Sequence, residues 1–373
     1  MSSLRRTFSE NLINIRGWKT QRKIVVFESD DWGSIRMPSR EVFYNLLKAN
    51  IRVDKCPFCS FDSLASVDDL TSLFEVLESF VDTNGNHPVI TANTVVANPD
   101  FSRILDSGFM EYHYELFTDT LKKYPNHNTS FSLWKEGIEK GLFYPQLHGR
   151  EHLNVNRWMK ALRAGSREML ISFYLNMFGI SSDISNEGSK SYLASFDADH
   201  EDELNLHETI VQDSVSIFKL LFGFSPQTFV APNYIWTDRI EDTLLKEGIK
   251  VIQGSRVQFV PTFSAGYRMK RHYTGQNNKL GQTYTLRNCI FEPSLNPTND
   301  WQSTCLRQIR TSFYWHKPAI IGTHRLNYIG SIVEKNRTDN LRILSNTIHQ
   351  ILKLWPEVEF LTSQQLARTI TNS

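Results

Sequence analysis

Cysteine is scarce in this chain. Four cysteines in 373 residues cannot build a disulfide scaffold and suit a reducing compartment. Cys56-Pro57-Phe58-Cys59 has the two-residue spacing of a zinc knuckle or a redox pair, but Cys289 and Cys305 stand far apart and offer no second pair, which disfavours a structural zinc. An excess of charge of one sign is also missing: 41 Lys and Arg against 40 Asp and Glu leave a net charge of +1. Such a balance provides no field to gather a polyanion or an acidic membrane surface, so no nucleic-acid partner is expected. No run approaches the roughly 18 apolar residues of a membrane span. The first twenty residues contain Arg5, Arg6 and Arg16 but neither a continuous apolar stretch nor a small-residue cleavage site, so no secretory signal is read and a cytoplasmic protein is expected. No repeat, low-complexity tract or Pro/Gly/Ser linker divides the sequence. One domain over residues 21–373, behind an N-terminal extension of residues 1–20, is the expected organisation.

Hydrophobic content of 40% is enough for a substantial core. Aromatic residues make up 12%, with eight Trp and thirteen Tyr; rings can stack on sugar faces, although most belong to core or rim. From residue 23 onward, strand-like apolar runs alternate with amphipathic stretches, the pattern of a parallel sheet or barrel. Strands are predicted at 23–27, 88–93, 143–147, 229–231, 250–252, 319–323 and 357–361. Helices are predicted over 40–49, 67–81, 157–176, 207–222, 237–247 and 340–354. Residues 181–191 read as a polar loop. Residues 264–283, rich in Gly, Asn, Lys and Arg, read as a long surface excursion.

Two separated fragments carry the chemistry. Asp30-Asp31 ends the first apolar run, where strand becomes loop and where α/β enzymes keep their reacting groups. Adjacent residues of a strand point to opposite faces, but at a strand end both carboxylates can turn toward one site. By contrast, Asp68-Asp69 after Ser66 reads as ordinary helix capping. His148-Gly149-Arg150-Glu151-His152 offers two imidazoles at a spacing that lets both reach one metal, and one carboxylate plus two imidazoles is the ligand set of a catalytic Zn²⁺ with an open position. The same five residues match H-x-x-E-H, the inverted zincin pattern with Glu151 as base. That pattern belongs inside a long helix, and Pro145 and Gly149 argue instead for a loop or first turn. His324 follows a strand and is a candidate general acid, with Asp300 a candidate to orient it. Asn93, at a strand end, either binds substrate or caps a helix. His113, His207 and Glu292 read as structure or surface.

Taken in order, these fragments resemble the polysaccharide deacetylases of carbohydrate esterase family 4, from about residue 23 to 365. Phe27-Glu28-Ser29-Asp30-Asp31-Trp32-Gly33 is similar to the family's first motif, and His148 to His152 to its second. Phe229-Val230-Ala231-Pro232-Asn233-Tyr234, Asp300-Trp301 and Ile320-Ile321-Gly322-Thr323-His324 take the places of the third, fourth and fifth. The resemblance implies a distorted (β/α)7 TIM-like barrel with its site at the C-terminal strand ends. It implies that Asp31, His148 and His152 hold a divalent metal, usually Zn²⁺, that Asp30 is the base, and that His324 protonates the departing group. Trp32, Asn93, Asn233, Tyr234 and Arg325 become candidate substrate contacts. The family's third motif carries an arginine that orients the base; Val230 stands there here, and Arg325 and Arg150 are the candidates to replace it. The implied activity is hydrolytic deacetylation of acetylated amino sugars. Three other readings are carried: a barrel glycoside hydrolase, a non-catalytic carbohydrate-binding relative and, last, a peptidase. A homo-oligomer is left open.

Overall fold

Ile24, Val25, Val26 and Phe27 are at most 1% exposed. A β-branched and aromatic run buried on both faces belongs in a parallel sheet covered by helices. In the computed structural model, which describes residues 10–180, 184, 191–263 and 266–372, this run opens β1 (Lys23–Trp32). Parallel pairing leads from it through β2 (Ile90–Thr94), β3 (Phe143–Leu147) and β4 (Thr228–Val230) to β5 (Val251–Gly254). β6 (Thr283–Leu286) pairs with β5, while β7 (Cys289–Ile290) pairs with β8 (Ala319–His324), which returns to β1.

β6 and β7 are one passage of chain interrupted by Arg287 and Asn288. The Arg287 N–H donates to Gly254 O at 3.0 Å and the Asn288 N–H to Ile320 O at 3.1 Å. The chain itself therefore closes the ring between β5 and β8. β1 to β5, the β6–β7 passage and β8 make seven strand positions, all parallel, in a distorted α/β barrel of TIM-like type. β9 (Val358–Phe360) adds to the start of β1. Two antiparallel ribbons, Ala97–Pro99 with Tyr114–Leu116 and Val257–Pro261 with Tyr267–Arg271, lie outside the ring.

Strand alternation divides β1 between two cores. Val25 and Phe27 join the large cluster under the surrounding helices. Ile24 and Val26 face inward with Ile320, and there they meet Leu366 and Ile370 of the helix Ser363–Thr371. That helix, started by a Thr362/Gln365 capping box, plugs the end of the ring from which β1 begins. Above the plug the lumen turns polar: Glu28 lies opposite Gly322 and Asp30 opposite His324, and Ser363 Oγ donates to Glu28 at 2.8 Å.

Several sequence expectations need correction. The single helix over 157–176 is two, Val155–Arg163 and Arg167–Tyr174, parted at Gly165, whose φ of 78° is the left-handed conformation that ends helices. The excursion over 264–283 contains the strand Tyr267–Arg271 and runs into β6. The stretch after Asp300 is a helix, Trp301–Tyr314. The polar loop 181–191 lies almost wholly outside the described residues, as do residues 1–9 of the N-terminal extension. Residues 10–15 are helical, and the buried Lys317 ties down the chain after them by donating to the carbonyls of Arg16 (2.8 Å) and Trp18 (2.7 Å). Among the described residues no helix is long and apolar enough to cross a membrane.

The plug makes a direct stability prediction. Leu366 is 0% exposed, so Leu366→Ala should lower the unfolding free energy by about 2–5 kcal/mol. Urea denaturation measures it, and a loss well under about 1 kcal/mol would show that the helix does not seal the ring.

Candidate active site

At Asp31 the backbone takes φ 73°, and the β1–β2 register shifts between Ser29 and Trp32. Regular alternation would have sent Asp31 away from Asp30. The left-handed residue, a conformation that aspartate tolerates better than most, turns both carboxylates to the same cavity. His148 and His152 come from the loop after β3, not from a helix. Gly149, at φ 106°, supplies a backbone conformation in that loop that a side chain would resist.

Asp31, His148 and His152 are all buried, and one potential ligand atom from each lies within 4.8 Å of the others. His148 Nδ1 is 2.8 Å from Val230 O. A carbonyl can only accept, so Nδ1 carries a proton, and Nε2 is the nitrogen left to face a metal. That Nε2 is buried without a hydrogen bond and sits 3.5 Å from Asp31 Oδ1, with His152 Nε2 at 3.3 Å from the same oxygen. Two ring nitrogens and a carboxylate oxygen converging in this way surround a place for a cation, and a ligating histidine is oriented as His148 is, by a carbonyl on its other nitrogen. Burial, opposed by Asp31 and reinforced by Arg36, takes the His152 imidazole down to about 3, which keeps it neutral. Burial would raise the Asp31 carboxyl, but the Arg36 cation beside it leads the interactions that hold it well below the usual range. Arg36 donates to Asp31 at 3.0 Å. These residues therefore fit a divalent metal.

Asp30 is held differently. Arg287 grips it with two hydrogen bonds of 2.6 Å each, while its Nε donates to Glu28 at 2.9 Å and Nη1 to Tyr234 Oη at 3.1 Å. Asn93 Nδ2 donates to Asp30 at 2.8 Å and to Gln253 at 3.0 Å. Burial pushes the Asp30 carboxyl up, yet Arg287 overrides it and leaves it at about 2. Arg287 crosses the lumen where Gly322 stands, and a Cβ there would come within 2.7 Å of Arg287 Cδ. On the far side of Asp30, His324 Nε2 is 4.0 Å from Oδ2, and His324 Nδ1 is 2.6 Å from Glu292 Oε1. Glu292 is fixed in turn by Asn327 Nδ2 at 2.8 Å. Burial depresses the His324 imidazole, but Glu292, Asp31 and Asp30 together raise it to about 9.

Asp30, Asp31, His148, His152, Asn233, Tyr234 and His324 line one cavity of about 430 Å³. Asn233 and Tyr234 enter it on consecutive left-handed backbones, φ 58° and 56°. Other candidates lie elsewhere or act otherwise. Trp32 is 1% exposed, donates to Ser29 Oγ, and packs edge-on against Trp134 and Phe143, so it is core and not a substrate contact. Arg325, 0% exposed, is spent on Asp62 through two bonds of 2.9 Å. Arg150 pairs with Glu151 and Asp213, so neither arginine orients Asp30, and Glu151 is turned away from the metal ligands. Asp300 caps the helix Trp301–Tyr314 through the Ser303 N–H, and the carboxylate on His324 is Glu292. Asn93, fully buried, touches Asp30 and leaves no face for substrate.

Sequence reasoning missed Arg287, Glu292, Glu28 and Arg36. A signal for the first existed in the alternation of Thr283, Thr285 and Arg287, which places all three on one face of a strand; the polar character of the segment hid it.

No family model matches the chain, and no curated protein matches it. Solved structures similar to it include one described as a polysaccharide deacetylase, from Mycobacterium smegmatis, at 9% identity and TM-score 0.44 over 96% of this chain and 93% of that one. A branching enzyme of glycoside hydrolase family 57 type from Pyrococcus horikoshii aligns at 10% identity and TM-score 0.44 over 94% of this chain and 70% of its own. A polysaccharide deacetylase from Bacillus cereus aligns at 12% identity and TM-score 0.31 over 79% and 69%. Likenesses at this level decide nothing about the chemistry of this chain.

Two measurements test the site's electrostatics. The native state binds the His324 proton more tightly than the unfolded chain, whose histidine keeps an ordinary value of 6.5. The resulting stabilisation is therefore complete below that pH and is lost as pH rises through about 9. In a pH series of urea denaturations, Glu292→Gln should flatten this slope; an unchanged slope would remove Glu292 as its cause. Arg325→Ala, which leaves the buried Asp62 with Arg36 alone at 3.9 Å, should lower stability by about 3–5 kcal/mol in urea denaturation while divalent metal still binds by isothermal titration. A variant that folds as well as wild type but loses ligand binding would return Arg325 to the site.

Proposed function

We propose that this chain is a metal-dependent hydrolase that removes acetyl groups from acetylated amino sugars in polysaccharide or glycoconjugate metabolism. One observation carries the proposal: two adjacent carboxylates are given different work by their neighbours. Asp31 faces the Nε2 atoms of two imidazoles, whereas Asp30 is clamped by Arg287 beside a protonated His324. Two imidazoles and one carboxylate suit Zn²⁺ best among common divalent ions. Bound there, the ion would supply Lewis acidity and a water of lowered pKa.

The chain's own residues would do the rest. Asp30, kept ionised by Arg287 and aimed by Asn93, accepts a proton from the attacking water. His324, whose Nδ1 is anchored on Glu292, presents its Nε2 proton to the departing amine or alcohol. Tyr234 N–H is committed to Ala231 O at 3.1 Å, which leaves the Asn233 N–H on the same wall as the donor for negative charge developing on the carbonyl oxygen. Rims of Phe58 and Tyr234 offer apolar faces to a sugar ring. Arg287 supports catalysis over mere sugar binding, since it gives Asp30 the orienting partner that Val230 does not supply. The cytoplasm is the compartment that its sparse cysteines suit.

Acetate release from a panel of acetylated amino sugars, with metal content measured on the same samples, tests the proposal. Asp31→Asn and His148→Ala should lose the metal. Asp30→Asn should retain it and release acetate about 10²–10⁴-fold more slowly. A new reducing end without acetate would point to glycosidic cleavage, and acetate production indifferent to Asp30→Asn would defeat the assigned base.

A further inference from the structure

Cys56 and Cys59 sit in the wall of the same cavity, flanking Pro57 and Phe58. The Cys59 N–H donates to Cys56 O at 3.0 Å, and this single turn brings residues three apart onto one face. Cys56 is partly exposed and Cys59 buried, so an accessible attacking sulfur has a sheltered partner beside it. The neighbouring Cys59 draws the Cys56 thiol down to about 6, helped by Arg36 and against burial, while Cys56 and burial push the Cys59 thiol well above the usual range. Cys289 and Cys305 are buried as well, and burial pushes both thiols up. Cys56, the one cysteine of the four that is not buried, is thus set apart from the other three, and Cys59 is the sheltered thiol one turn away from it.

The pair also touches the machinery of the cavity. Phe58 meets the His324 ring edge-on at 5.2 Å and lies under the Arg36 guanidinium at 5.1 Å. Arg36 donates to Asp31 at 3.0 Å, lies 3.9 Å from Asp62, and is further stabilised as a cation by Cys56. One guanidinium therefore links a metal ligand to the wall that carries the two cysteines.

We propose that Cys56 and Cys59 are a redox-active dithiol, oxidised by low-molecular-weight disulfides such as glutathione disulfide, and that oxidation weakens divalent-metal binding at Asp31, His148 and His152. The Cys56 thiolate attacks one sulfur of the small disulfide, forming a mixed disulfide and releasing one thiolate. Cys59 gives its proton to solvent and attacks the Cys56 sulfur, expelling the second thiolate. Two electrons pass from the protein pair to the small disulfide, which becomes two thiols. With the Cys56 anion gone, the Arg36 charge bears more fully on Asp31 and on any cation there. The first half of the proposal is independent of the proposed activity; the second rests on the metal-centre reading.

The full chain is equilibrated in glutathione buffers of graded ratio, alkylated and analysed by mass spectrometry. Expected is a species lighter by two hydrogens, with Cys56 and Cys59 protected together and Cys289 and Cys305 unchanged. Cys59→Ser should trap glutathione on Cys56, and Cys56→Ser should take up none. A stable glutathione adduct on wild-type Cys56, or no protection in any buffer, overturns the dithiol. Affinity for Mn²⁺, for which thiolates compete poorly, should fall on the order of three- to tenfold on oxidation, and the change should vanish in Cys56→Ser/Cys59→Ser. Equal affinity in both redox forms overturns the coupling. Absence of Mn²⁺ binding in either form removes the metal centre and the coupling with it, while the alkylation pattern still decides the dithiol.

Discussion

A guanidinium inside a ring of strands must find anions within reach, because an uncompensated buried charge costs several kcal/mol. Arg287 finds Glu28 and Asp30, two residues apart on the inner face of β1. Much of the barrel is arranged to let this happen. β6 and β7 close the ring at the level where Arg287 can reach across, Gly322 withholds a side chain from its path, and the helix Ser363–Thr371 brings Ser363 to the second oxygen of Glu28. Closure of the fold and preparation of Asp30 are one event.

The contrast between neighbouring aspartates follows from that arrangement. Asp30 keeps the inward direction that strand alternation assigns, and Arg287 and Asn93 fill its coordination. Asp31 leaves the strand on a left-handed backbone and so joins two histidines that a loop, not a helix, delivers. Opposite environments push two chemically identical groups toward different roles, the usual way a site separates a base from a ligand. His324 completes the contrast, since Glu292 holds it as a cation next to an aspartate that Arg287 holds as an anion.

The second charge network, built on Arg36, Asp62 and Arg325, is the structural counterpart of the first. Arg325 is wholly enclosed and bonded twice to Asp62, and Arg36 extends the network to Asp31 and to the wall that carries Phe58 and the two cysteines. Residues that looked like substrate contacts in the sequence thus belong to the support beneath the cavity. Trp32 is a similar case, its indole enclosed among Trp134 and Phe143.

Local pattern determined a good deal here. Apolar runs located all but one of the seven ring positions, because a strand buried on both faces must be apolar over consecutive residues, and Asp30-Asp31, His148, His152 and His324 stood out because each ends or follows such a run. The remaining position, Thr283–Leu286 with Cys289–Ile290, escaped because it faces a polar lumen and so lacks that signature. Only the tertiary structure could decide the partners: Arg287 lies 257 residues from Asp30 and Glu292 32 residues from His324. Periodicity records which face of an element a residue occupies, whereas the pairing of buried charges depends on which strands close the ring and in what register, and no local pattern carries that information.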